Sequence, residues 1–449
     1  SRKGPPYPLS RPNSTVTINS YQPEEQAMSV FSRYAGILIM SFALVLAVLP
    51  ARAQTPRLEA LVAEALDRNP ALQAARHRRA AATHRRPQVA SYSDPVLTYT
   101  RWLSSPETRV GPQRNVLAFG QQIPYPGKLS LRGDMSGEET AVETAGIQSI
   151  ARDIAYEVKS VYYDLFRVDR SLRILEDYLV LLETFTGAAE EKYATGSGSQ
   201  ADVLKSHVEA SEILKRRITL EGERSALVAR LNGALSRPPD TPVDRVAAID
   251  TTRYAQPESL VVERALEVRQ ELEAVDARIR RNELGLRLAR LGNRPDFTVQ
   301  ASYVTVPKLE GNPASDAGKD AFGVMLSVHL PLFRKRTRAG VQEAMARVEE
   351  SRYARRSIRD AVAAEVAEAY GRLRHSGRAL DVYEQGLITQ AENSVLATLA
   401  AFQSGQMDFL DLLDAERMVL RTRLGYVAET ANYRKYISRL ERAAGGSLP

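Results

Sequence analysis

The chain has 449 residues, of which 44% are hydrophobic, 26% charged and 7% aromatic, with 26 glycines, 23 prolines and no cysteine. That balance excludes a collagen-like chain, a disulfide scaffold and a wholly disordered protein, and it leaves enough chain to bury a sizeable core. Without thiols there are no thiolate nucleophiles, thiolate metal sites or disulfides, and a net charge of +7 with no basic run among aromatics gives no sign of nucleic-acid binding.

Residues 1–27 are rich in Pro, Ser and Asn and lack an apolar period, so they are expected to be an upstream non-native or disordered segment. From Met28 a basic start, an apolar run from Ala35 to Leu49 and the small-x-small exit Ala51-Arg52-Ala53 follow one another. This pattern predicts a signal peptide over 28–53 with cleavage before Gln54, since about 15 apolar residues are too few to span a bilayer comfortably.

Beyond the signal, an amphipathic helical stretch is expected at about 58–86, then a β-like pair at about 95–103 and 115–123 bracketed by Pro95 and Pro124. A very long helix follows. Its apolar residues Ile147, Ile150, Ile154, Val158, Val161, Leu165, Val168, Leu172, Leu175, Leu179 and Leu182 recur at spacings of three or four, a heptad seam that predicts coiled-coil packing. About 55 residues of helix would reach roughly 80 Å, longer than a globular domain needs. A glycine turn at Tyr193-x-x-Gly196 then leads into a second long helix.

The same order returns. A helical stretch at about 258–292 leads to a pair at about 296–306 and 321–330, and then to a helix with the seam Val362, Val366, Leu373, Leu380, Tyr383 and Leu387. Tyr193, Gly196 and Asp202-Val-Leu204 are echoed by Phe402, Gly405 and Asp411-Leu-Leu413 at an offset of 209, and Leu72 by Leu272 at an offset of 200. The chain is therefore read as two copies of one unit, residues 54–250 and 251–449.

In the second pair, Phe297, Val299, Ala301 and Tyr303 alternate with Thr298, Gln300 and Ser302, and Phe322, Val324, Leu326 and Val328 alternate with Gly323, Met325 and Ser327. Alternation puts the apolar side chains on one face. It does not say whether that face meets a soluble core or lipid. Four strands cannot close a barrel and lipid tolerates no open edge, so strands of this kind in a membrane would require oligomerisation.

The signal, the twofold repeat, the strand pairs and the rod-like helices together resemble the TolC-like outer-membrane efflux channels. The resemblance is carried by Gln122-Ile-Pro-Tyr-Pro-Gly127-Lys128, by Tyr193-x-x-Gly196 with Asp202-Val-Leu204, and by Phe402-x-x-Gly405 with Asp411-Leu-Leu-Asp414-Ala415. It covers about 54–445, and the proline-glycine-lysine junction is most similar to heavy-metal efflux members. The resemblance implies a mainly α fold with a membrane β part, in which twofold-repeated coiled-coil hairpins and four strands per protomer complete a twelve-stranded barrel in a homotrimer. It further implies an outer-membrane duct reaching into the periplasm, fed by a periplasmic adaptor (membrane fusion protein) and an inner-membrane pump, with no catalysis and no cofactor.

By the same resemblance Asp411 and Asp414, three apart on one helix face, would line a pore constriction, where rings of carboxylates favour cations. Helix capping is the other reading for Asp411, because its repeat partner Asp202 holds the same place. The repeat partner of Asp414 is Lys205, so a shared cap does not account for it. The family's closed-state latch positions read Phe402, Met407, Ala201 and Asp202, of which only the aspartate matches, and Asp202, Phe402 and Met407 are taken as a tip gate. Tyr193, Gly196 and Gly405 mark tip turns for adaptor docking. His77, His84, His207, His329 and His375 do not cluster with carboxylates at ligand spacing, so no metal or catalytic site is expected. The competing reading is a soluble periplasmic coiled-coil adaptor or scaffold.

Overall fold

A computed structural model describes residues 55–196, 198–404 and 406–448. The expected signal peptide, the segment before it and Gly405 lie outside the described residues.

The chain opens with two helices, α1 (Thr55–Arg68) and α2 (Pro70–Ala90), instead of one. Asn69 breaks them in extended backbone and caps the second, its side chain accepting from the Ala71 amide, with Pro70 at the first helical position where its missing N–H costs nothing. The second half repeats the break: α5 (Glu258–Val268) and α6 (Gln270–Arg290) are separated at Arg269. The continuous stretches expected at 58–86 and 258–292 are thus each two helices.

Six strands follow the helix pairs: β1 (Val96–Arg101), the short β2 (Glu107–Thr108) and β3 (Gly111–Pro112), β4 (Asn115–Ile123), β5 (Asp296–Thr305) and β6 (Ala321–His329). Strands β1, β4, β5 and β6 form one antiparallel sheet in that order, leaving β1 and β6 as its edges. Register sorts the side chains into two kinds of row. Leu97–Phe119–Ala301–Val324 and Tyr99–Leu117–Tyr303–Phe322 lie on one face, and Thr98–Ala118–Ser302–Gly323 on the other. The apolar face has no helix over it: Phe322, Val324 and Leu326 are 72%, 69% and 64% exposed. None of the helices among the described residues is long and apolar enough to cross a membrane.

Below the sheet run the long helices α3 (Lys128–Ala194), α4 (Gln200–Ala234), α7 (Arg334–Val382), α8 (Ile388–Gln403) and α9 (Phe409–Ala444). With 67 residues α3 spans about 100 Å, exceeding the 55 residues expected. Its seam is the core. Val158, Val161, Leu165, Val168, Leu172, Leu175 and Leu182 are buried, the first three packing against Leu231 and Leu235 at the end of α4. The second half builds the matching cluster from Val362, Val366, Leu373 and Leu380 against Tyr433, Ile437 and Leu440 of α9.

The seam of α7 does not continue as expected to Leu387, which is 38% exposed. A single π-turn over Tyr383–Leu387 inserts one residue between α7 and α8, so the next buried side chain is Ala391. Tyr383 packs so closely on α9 that a Cβ at Gly425 would overlap its hydroxyl.

The proline-glycine-lysine junction turns the sheet into a helix. Gly127 adopts φ +91°, a left-handed conformation open to glycine, and starts α3. Lys128, 8% exposed, donates from Nζ to the Asp296 carboxylate at 2.8 Å and to the Arg294 carbonyl at 3.2 Å, while the Tyr125 amide donates to the same carboxylate at 2.7 Å. The first-half junction is thereby clamped to the start of β5.

Candidate functional site at the helical tips

The ends of the helices farthest from the sheet are two turns, α3 to α4 and α8 to α9. In the first, Gly196 takes φ +75° with its amide donating to the Tyr193 carbonyl at 3.0 Å. Ser199 caps α4 by accepting from the Ala201 amide at 3.1 Å, which places Asp202 in the first turn. Tyr193 is half exposed. In the second turn the Gln406 amide closes on the Ala401 carbonyl at 2.9 Å, and Asp408 caps α9.

Asp408 and Asp411 form a reciprocal capping box: the Asp408 side chain accepts from the Asp411 amide, and the Asp411 carboxylate accepts from the Asp408 amide at 3.2 Å. Asp411 therefore does the work of a cap in this chain. Asp414 is different. Its side chain is 70% exposed and accepts from Arg417 Nη1 at 2.8 Å, one turn along α9. Arg417 also donates from Nε to Glu209 of α4 at 2.8 Å, so one guanidinium bridges an exposed and a nearly buried carboxylate. The Glu209 hydrogen bond, ahead of that to Asp414, raises the Arg417 pKa. Arg417 was not singled out in the sequence; its i,i+3 spacing from Asp414 is a local signal for this pair, but nothing local signals its reach across to α4.

Asp202, Phe402, Met407 and Gly196 line one cavity of about 460 Å³ between the two turns. The four are brought together without a polar latch at Phe402, whose ring lies under Lys192 Nζ at 3.7 Å and against Phe409 at 6.2 Å between centroids. Cation–π and aromatic contact replace the hydroxyl chemistry of a tyrosine there.

Behind the tip lies a polar group that sequence reasoning missed. Glu416 is buried on α9, and burial pushes its carboxyl up, with Arg423 pulling the other way. Tyr178 of α3 is buried with its hydroxyl unpartnered among the described residues; burial first, then the charges of Glu209 and Glu416, push its pKa up. Neither residue falls in a motif, and among the described residues Glu416 is the one carboxylate in the buried side chains of α9. Among the described residues no three His, Asp or Glu side chains are grouped to hold a metal ion.

Residues 261–446 match the family described as outer membrane efflux protein. The chain is 20% identical over 343 residues to the cobalt-zinc-cadmium resistance protein CzcC of Cupriavidus metallidurans, covering 76% of this chain and 79% of that one. Among solved structures, the outer membrane protein VceC of Vibrio cholerae aligns with a TM-score of 0.73 at 19% identity, over 88% of this chain and 97% of that one. CusC, whose crystal structures describe transmembrane channel formation, aligns at 0.73 and 15%, over 87% and 92%. The second half of the chain thus matches the outer membrane efflux protein family by sequence, and the described chain shares the fold of VceC and CusC.

Proposed function

We propose that this chain is one protomer of a trimeric outer-membrane channel, the exit duct of a tripartite efflux system that carries substrate from an inner-membrane pump and periplasmic adaptor to the exterior. The observation that carries this reading is the four-stranded sheet, with a continuous uncovered apolar face, two open edges and rod-like helices leaving one end. Lipid accepts the face but not the edges, and three copies joined edge to edge satisfy every strand. Two repeats, 54–250 and 251–449, supply two strands each to the shared sheet. Secretion follows from removal of 28–53, and N-terminal sequencing of the membrane-extracted protein is expected to begin at Gln54.

Heavy-metal ions are the proposed substrate class, on the likeness to CzcC and to the proline-glycine-lysine junction. The channel conducts without acting on them chemically. Asp414 lines the constriction, with Asp411 shared between cap and pore, and Asp202, Phe402 and Met407 form the gate around the tip cavity. Tyr193, Gly196 and Gly405 belong to the turns on which the adaptor docks. Cell fractionation with chemical cross-linking tests the assignment. A detergent-requiring trimer in outer membranes is expected; a soluble periplasmic protein would sink it in favour of a coiled-coil scaffold.

A further inference from the structure

The charge of this chain is concentrated where the sheet meets the helices. The eleven residues flanking each long strand on its helical side, 85–95, 124–134, 285–295 and 330–340, hold eleven Arg and Lys against two Asp, a net of +9, while the entire chain carries +7. The densest part is Arg334, Lys335, Arg336 and Arg338 in the first turns of α7, which begins five residues after the end of β6. All four are exposed, and none has a side-chain hydrogen bond or ion pair among the described residues. Farther down, Arg347, Arg352 and Arg355 each pair with a carboxylate, through Glu343, Glu283 and Asp276. At the level of the sheet's end Lys128 is taken up by Asp296 and Arg86 by Asp134, so the free cations there are concentrated in this cluster at the start of α7.

A second feature sits at the same level. Leu330, Leu332 and Phe333, between β6 and the basic cluster, are 64%, 76% and 74% exposed, carrying the apolar surface of the sheet past its last hydrogen-bonded residue. Tyr92, just ahead of β1, is 59% exposed. Apolar and aromatic side chains beside a row of free cations match the depth profile of a lipid leaflet: acyl chains, then glycerol, then phosphate.

We propose that Leu332, Phe333 and the Arg334–Arg338 cluster, with the exposed Arg85, Arg132, Arg287 and Arg290 beside the other strands, form a collar that binds the phosphates of anionic phospholipids in the periplasmic leaflet and fixes the depth of the barrel. The proposal rests on the channel reading above. Its partner is a lipid surface; the other candidates for these charges are the pore lumen and a neighbouring protomer, and the test separates all three.

Full-length protein carrying Arg334→Gln, Lys335→Gln, Arg336→Gln and Arg338→Gln is compared with wild type in nanodiscs of phosphatidylcholine doped with phosphatidylglycerol, counting lipids retained per trimer by native mass spectrometry. Wild type is expected to enrich phosphatidylglycerol over phosphatidylcholine, with the enrichment falling as salt rises, and the quadruple variant is expected to lose at least about ten-fold of it. A second variant, Arg334→Lys with Arg336→Lys and Arg338→Lys, keeps the charge and is expected to keep the enrichment. Equal enrichment in wild type and the glutamine variant overturns the proposal. So does unchanged enrichment with altered ion selectivity in planar bilayers, which places the charges in the lumen, or loss of the trimer in both variants, which places them between protomers. Failure of wild type to insert at all defeats the channel reading itself, whereas an inserted channel indifferent to headgroup charge defeats only the collar.

Discussion

Asn69 and Arg269 stand at equivalent breaks of the two outer helix pairs, 200 residues apart, and each donates to an alanine carbonyl in the last turn of a long helix. Asn69 Nδ2 reaches Ala234 at 3.4 Å and Arg269 Nη1 reaches Ala443 at 2.6 Å, and those alanines are themselves 209 residues apart. The geometry persists although the side chain has changed from a neutral amide to a cation. Arg269 uses the extra reach to bind Glu271 and Glu365 at 2.7 and 2.9 Å. Arg269→Ala should therefore cost about 2 kcal/mol, because it takes one of two guanidinium partners from each of Glu271 and Glu365 and frees the Ala443 carbonyl, while Asn69→Ala, which removes a cap, should cost about 1 kcal/mol. Chemical denaturation of the two variants checks the ranking.

Acid should act on two carboxylates in opposite directions. Although burial alone would raise it, hydrogen bonds from Arg269 and attraction to Arg152 hold Glu271 down at about 2 against an ordinary 4.5. Its stabilisation is present above pH 4.5 and is lost as pH falls toward 2, amounting to about 1–2 kcal/mol after discounting for solvent screening of a side chain 35% exposed. Glu416 is raised by burial, so its neutral form suits the fold, and the stability it contributes is present below pH 4.5 and lost as pH rises through its folded pKa. Glu416→Gln should raise the melting temperature at pH 7–8 and leave it unchanged near pH 4. A melting curve that rises equally at both pH values would contradict the assignment.

On the sheet, Val324→Arg puts a charge in the middle of the apolar face and should cost about 2–4 kcal/mol of barrel stability, whereas Ser327→Arg on the other face should cost little. Trimer yield in outer membranes is the measurement. Equal tolerance would mean that the face meets something other than lipid.

At the tip, if Asp414 lines the proposed constriction, Asp414→Asn should keep trimer assembly and helix content and reduce cation preference in single-channel recordings, since three charges would leave the narrowest part of the lumen. The pairing with Arg417 adds a second arm. Arg417→Gln removes the cation that offsets Asp414 and Glu209, and should raise cation preference while weakening the contact between α4 and α9. Selectivity unchanged in both variants, with lowered melting temperatures, would leave Asp414 a structural residue only.

The alternating strands were legible because a period of two needs no partner to be seen, and the α3 seam because heptads repeat over many turns. The Asn69 break also had a local signal, Asn followed by Pro, but Arg269 had none: its role is set by carbonyls and carboxylates far away in the chain. The π-turn was invisible for a related reason. Tyr383 and Leu387 fit the heptad as letters, and only the close approach of Gly425 on another helix selects the inserted residue. Lys128 stood out in its motif, yet its purpose depends on Asp296, 168 residues later. At the tip, Asp411 could be read as cap or pore from sequence because both need a carboxylate in the first turn; the bond to the Asp408 amide identifies the cap.

The bare edges of β1 and β6 also bear on how this protein comes to exist in a cell. A protomer whose outermost strands have no neighbours has no stable place of its own in hydrocarbon, so strand pairing, insertion and association form a single event. In the proposed trimer its folding equilibrium is then a function of protomer concentration, steep because three molecules must meet, and a dilute pool would leave the sheet unformed however good the helices are. A variant with a sound β1 and a spoiled β6 would join one partner, block the ring and withdraw intact copies from assembly, so a minority of such chains should depress the yield of closed rings out of proportion to its share.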